Sequence, residues 1–147
     1  MDREKVLSEE SPSVQTHLGI LQDVIQRMAH NSSMCKAWCI TIVSALLVVL
    51  ADKDITNQLY IAFIPTLLFL VLDSYYLALE KGFRSSYNNF VSKLHKDEVN
   101  SKDLYTVNPK GNIIGGTLIS MTSFSILPFY LTLAVLIITV KCVFNTL

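Results

Sequence analysis

The stretch LYIAFIPTLLFLVLDSYYLAL, residues 59–79, decides how this chain folds. It runs 21 residues with one charge, Asp73. About 20 apolar residues at 1.5 Å per residue cross the hydrocarbon core of a bilayer, so this stretch reads as a membrane-spanning helix. Pro65 removes one backbone donor, and a kink near Ile61 is expected. A second run, FSILPFYLTLAVLIITVKCVF (124–144), is of similar length. Ser123 or Ser125 is placed to cap it, Pro128 is tolerable near its start, and Lys141 can reach outward at its far end. A third run, AWCITIVSALLVVLA (37–51), is short until it is extended back to Met34. Lys36 can then send its ammonium to the headgroups, and Trp38 suits the membrane–water boundary.

Composition agrees. The 147 residues are 51% hydrophobic and 16% charged, with twelve basic residues balancing twelve acidic ones. An ordinary soluble domain carries about 25% charge. Aromatic and branched residues are too common for a disordered chain, and a neutral balance does not support a strongly basic nucleic-acid binder. The first apolar run begins near residue 37 behind a polar, partly acidic stretch, so no signal peptide is expected at the start of the chain. The cysteines, Cys35, Cys39 and Cys142, are odd in number and read as packing residues.

The expected fold is therefore an all-α membrane protein: three transmembrane helices, an N-terminal amphipathic helix, and a small cytoplasmic segment between helices two and three. Residues 1–34 form the N-terminal helix, 35–80 a transmembrane hairpin, 81–122 the cytoplasmic connection and 123–147 the third transmembrane helix. In the first part Leu18, Leu21, Val24, Ile25 and Met28 recur at helical spacing. Beyond Leu79 the positions Phe83, Tyr87, Phe90, Val91 and Leu94 continue the second helix. LYTVN (104–108) reads as a short strand, followed by a turn over Asn108, Pro109, Gly111 and Asn112. IIGGTLISMT (113–122) is open: a re-entrant or interfacial stretch, or the start of helix three.

Positive charge sets the expected topology. Arg3, Lys5, Arg27 and Lys36, with Lys81, Arg84, Lys93, Lys96, Lys102 and Lys110, lie on one side of the spans, against Lys53 and Lys141 on the other. This places the N-terminus and the long connection in the cytoplasm and the C-terminus outside.

Several residues are candidates for function. A carboxylate within a span, Asp73, needs a partner or a water-filled neighbour. Pairing segments one and two as a hairpin brings Lys36 opposite Asp73. The acid is then either an ion or proton site, or a gate, or half of a helix-positioning Lys36–Asp73 pair. Thr66, Asp73 and Glu80 repeat every seven residues, as do Ser125, Thr132 and Thr139. Such stripes either bond helices together or line a pathway, and three spans are too few to enclose a pore without further copies. Thr66, Asp73, Ser125, Thr132 and Thr139 are thus pore or gate candidates in a homo-oligomer. Lys81, Arg84, Lys93, Lys96, Lys102 and Lys110 are candidates for binding a phosphate-bearing ligand, or else serve topology alone. His17, His30 and His95 stand apart, and no nucleophile–base pair or phosphate loop appears, so neither catalysis, a metal nor a cofactor is expected.

The runs RMAHNSSMCKAW (27–38), LDSYYLALEKGFRSSYNNF (72–90) and SFSILPFYLTL (123–133) resemble a group of small multi-span prokaryotic membrane proteins. The matching positions are Arg27, Met28, Ala29, Asn31 and Ser32, then Leu72, Asp73, Tyr75, Tyr76, Leu77, Glu80, Phe83, Arg84 and Tyr87. The resemblance covers about residues 25–145 and implies a membrane effector of a phage-defence locus, in the bacterial inner membrane, working with a soluble nucleotide-synthesising or sensing enzyme. A Hailong-type effector, an oligomeric channel opened by a nucleotide or oligonucleotide product of its partner, is the form it points to. With the resemblance, the expectation is a homo-oligomeric membrane channel or pore-forming effector, or else a membrane anchor that docks a soluble partner, with a small transporter subunit using Asp73 as a proton-coupled site as the third reading.

Overall fold

The computed structural model describes residues 8–52 and 56–146. Arg3, Lys5 and Lys53, which entered the charge count, lie outside the described residues. Every regular element among the described residues is helical: α1 (Pro12–Asp52), a 3-10 helix (Thr56–Ala62), α2 (Phe63–Leu94), a 3-10 turn (Ser101–Asp103), α3 (Ile113–Met121) and α4 (Leu127–Thr146). Three of these helices are long and apolar enough to cross a membrane, within Pro12–Leu50, Gln58–Leu94 and Leu127–Phe144.

The amphipathic helix and the first span are one helix. At 1.5 Å per residue the 41 residues of α1 extend about 60 Å, twice the hydrocarbon thickness. Continuity follows from its stripe: Val14, His17, Leu21, Ser32, Cys35, Cys39, Val43, Leu47 and Leu50 are buried at spacings of three and four, with Ile25 and Met28 half-buried between them. One face thus packs against α2 along the whole hairpin, and nothing at Asn31–Ser33 interrupts it. The expected boundary at 34/35 falls inside this rod. α2 likewise continues 15 residues past Leu79, with Phe83, Phe90 and Leu94 buried.

Beside Ile61, where a kink is expected, the helix changes from 3-10 to α winding. α2 starts at Phe63, so Pro65 stands in its first turn, where the missing N–H would have had no partner within the helix. The 3-10 winding ahead of it turns Leu59 and Ala62 into the core.

Two cores result. Cys39, Val43, Leu47, Leu50, Leu59, Ala62, Ile126, Tyr130, Leu133 and Ile137 join α1, the 3-10 helix and α4. At the opposite end Val14, Phe90, Leu94 and Val99, with Leu18 and Leu104, hold the connection over the projecting ends of α1 and α2. The expected strand at 104–108 is absent. Among the described residues no strand exists for it to pair with, and Tyr105 takes a left-handed φ of 61°, which ends any extended run. The following turn is present, with Gly111 at φ 99°. IIGGTLISM is a separate helix, α3, capped by Asn112 Oδ1, which accepts from the Gly115 N–H at 3.1 Å. Neither Ser123 nor Ser125 belongs to α4. The Ser123 carbonyl instead accepts from the Ile126 and Leu127 N–H groups, turning the chain from α3 into α4.

Candidate functional site

Asp73 lies where α1, α2 and α4 meet, with no solvent exposure. Ser32 and Lys36 are one turn apart on the buried stripe of α1, so both side chains reach the same point of α2. Lys36 Nζ is 2.6 Å from Asp73 Oδ2, and the Ser32 hydroxyl donates to Oδ1. From α4 the Tyr130 hydroxyl donates to Oδ2 at 3.3 Å. Lys36 Nζ is also 3.4 Å from Ser32 Oγ. The carboxylate therefore has one cation and two hydroxyls, drawn from two different helices. A charge taken out of water needs this kind of satisfaction. Lys36 retains 22% exposure, so the pair reaches the edge of the bundle through the lysine alone.

The hairpin register foresaw the lysine; Ser32 and Tyr130 escaped that reading. Ser32 stands one turn before Lys36, and Tyr130 is the one tyrosine in segment three. Both signals were in the sequence, but only helix rotation shows that they converge.

The polar stripes divide. Thr66 is buried and its hydroxyl returns to the Ala62 carbonyl at 2.8 Å. Glu80 holds Arg84 at 2.8 Å one turn on. Thr132 and Thr139 face outward, each bonding the carbonyl four residues back at 2.8 Å, and Ser125 is exposed in the turn before α4. Thr66 and Asp73 thus lie inside the subunit, while Ser125, Thr132 and Thr139 lie on its outer surface. One subunit does not bring the two sets together.

The six basic candidates divide as well. Lys93, Lys102 and Lys110 line one cavity of about 330 Å³ between the ends of α1 and α2 and the connection. Lys93 Nζ binds Asp103 Oδ1 at 2.7 Å, and Asp103 Oδ2 caps the 3-10 turn through the Asn100 N–H at 3.1 Å. The lysine, with that backbone bond, holds the Asp103 carboxyl below its ordinary range. His17, buried in the cavity wall, accepts the Tyr105 N–H on Nδ1 at 3.0 Å and lies 4.4 Å, ring to ring, from Phe90. Burial pushes its pKa down, against the opposing pull of Asp103. Arg84 borders a different cleft, Lys81 reaches Ser120 Oγ at 3.4 Å, and Lys96 is exposed in the turn after α2.

No family model, curated protein or solved structure matches this chain.

Proposed function

We propose that this chain is the subunit of a homo-oligomeric membrane channel, its connection end in the cytoplasm, opened by a nucleotide or oligonucleotide in the three-lysine cavity. One observation carries the reading. α1 is a single uninterrupted helix that forms part of the cavity wall through His17 and holds Asp73 through Ser32 and Lys36. A displacement of α1 at the cavity therefore acts on the ion pair without an intervening hinge. A ligand shifts such an equilibrium only by binding the open arrangement more tightly than the closed one. The positive charge counted on the connection side supports the cytoplasmic assignment. In this reading Thr132 and Thr139 face neighbouring copies around the pore axis, and the Lys36–Asp73 pair is the gate that keeps each subunit closed. A bacterial inner-membrane effector of phage defence, paired with a soluble enzyme that makes the ligand, is the setting the resemblance adds.

The second reading is a non-conducting anchor for a soluble partner. A cleft of about 360 Å³ favours it, lined by Gln22, Ile25, Gln26, Arg84, Tyr87 and Asn88 along the projecting pair of helices. Ion flux from liposomes carrying the full-length protein, with and without cyclic nucleotides and short oligonucleotides, separates the two. Ligand-dependent flux that Lys102→Gln with Lys110→Gln weakens, while Lys96→Gln leaves it intact, supports the channel. Folded, oligomeric protein that stays silent with every ligand supports the anchor.

A further inference from the structure

The helix α3 is too short to cross a bilayer, yet its outer face is as apolar as that of a span. It uses one side to pack on α2. Gly116 sits where a Cβ would meet Ala78 Cβ at 3.5 Å, and Ser120 is its one buried residue. On the other side Ile114, Leu118 and Ile119, with Phe124 in the following turn, are between 62% and 93% exposed. Such a patch marks a surface that meets something other than water.

Its level along the molecule identifies the occupant. α3 runs antiparallel to α2. Pro109 and Lys110 lie against Gly82, Gly116 against Ala78, and Tyr130 further on reaches Asp73. The helix is therefore beside the last turn of the second span, where hydrocarbon gives way to headgroups. Its apolar face leads through Phe124 into the outward side chains of α4, Leu131 and Val135. Lys110 is exposed at the N-terminal approach to α3, so a basic group borders the patch on the side away from the span, while Lys81 turns from α2 to the buried Ser120 hydroxyl near the other end of α3. Apolar side chains toward acyl tails and a lysine toward anionic headgroups are the partition expected of a short helix that enters one leaflet beside a span.

We infer that α3 is embedded in the leaflet on the connection side of the membrane, with Ile114, Leu118, Ile119 and Phe124 among the acyl chains and Lys110 at the headgroups. The placement requires that the chain be in a membrane; it does not require that it conduct. Pro109 and Lys110 line the lysine cavity and also press on Gly82, so one wall of that cavity is tied to the bilayer through α3.

The chain has one tryptophan, Trp38, which makes a direct test possible. In a Trp38→Phe background, Ile119→Trp and Phe124→Trp each place the probe at an exposed position, and Ser85→Trp places it on the exposed face of α2 beyond the span. The full-length variants are reconstituted in phosphatidylcholine–phosphatidylglycerol vesicles, with or without lipids brominated near the headgroup end of the acyl chain, and titrated with acrylamide. Two probe positions guard against one variant failing to fold. The expected result is quenching of both α3 probes by brominated lipid, several-fold stronger than for the Ser85 probe, with weaker quenching by acrylamide. Quenching of the α3 probes mainly by acrylamide places α3 in water and overturns the inference. Protection from both quenchers means that a second copy covers the patch, and overturns it as well.

Discussion

Breaking the Lys36–Asp73 pair tests the centre of the structure, and its two halves are not equivalent. Removing one partner of a buried ion pair costs about 3–5 kcal/mol, because the other charge is left uncompensated. Asp73 has no exposure and no route to solvent, whereas Lys36 keeps 22%. Lys36→Met strands the carboxylate with only the Ser32 and Tyr130 hydroxyls, and is expected at about 3–5 kcal/mol. In Asp73→Asn the amide oxygen still accepts from a hydroxyl, and the lysine can swing to the boundary on its flexible stem. About 2 kcal/mol is expected there, close to the charged hydrogen bond that is lost. The double variant Lys36→Met/Asp73→Asn leaves no charge to strand and is expected to be less destabilised than Lys36→Met alone, so the two losses do not add. The assay is equilibrium unfolding of the full chain in mixed micelles titrated with denaturing detergent, followed by far-UV circular dichroism and tryptophan fluorescence. At about 1.4 kcal/mol per factor of ten, a difference of about 1–3 kcal/mol between the singles is roughly a five- to hundredfold difference in folded-to-unfolded ratio. A loss below about 1 kcal/mol for Lys36→Met, or single losses that sum in the double, would refute the reasoning, since both require a pair that contributes nothing beyond separate side chains.

Gly82→Ala is expected to loosen the connection. Its Cβ would lie 2.9 Å from Pro109 Cβ and 3.2 Å from the Lys110 carbonyl oxygen. Crowding of about 1–3 kcal/mol outweighs a helix-propensity gain of about 1 kcal/mol, and faster amide exchange over 106–112 reports it. Gly19→Ala meets nothing within 4 Å and should gain up to about 1 kcal/mol in the same unfolding assay. Acidification should release the connection at His17. Its folded pKa lies below 6.5, so the unfolded chain binds the extra proton, and stability is full above about pH 6.5 and falls as pH drops through that value toward the folded pKa. Exchange at the Tyr105 amide should accelerate between about pH 7 and 5 beyond the ordinary chemical trend. In His17→Asn, whose Oδ1 can still accept and which does not titrate, that excess should vanish; if it persists, His17 is not its source.

The helical class was legible because long apolar runs with few charges leave a bilayer chain little alternative to helix. The stripe from Leu18 to Met28 and the continuation of the second helix through Phe83 and Phe90 were equally readable, since a 3.6-residue period appears directly in the sequence. Pro65 and LYTVN show where local reading stops. The proline's effect depends on where α2 begins, and that start is set by the 3-10 helix ahead of it. Five β-compatible residues form a strand only if the fold supplies an edge, and the fold instead uses Leu104 to cover Val14 and Phe90.

The candidate site divides in the same way. The one acid in the second span and the lysine opposite it follow from spacing in a hairpin of two helices, so sequence alone paired Asp73 with Lys36. That Ser32 and Tyr130 complete the site, that Thr66 faces inward while Thr132 and Thr139 face out, and that Lys93, Lys102 and Lys110 share a cavity while Lys96 stands apart, required tertiary structure. Period and composition determine which residues share a face of their own helix. Which face meets which neighbour depends on helix rotation and on the path of the connection, and these are decided by packing between segments far apart in the chain.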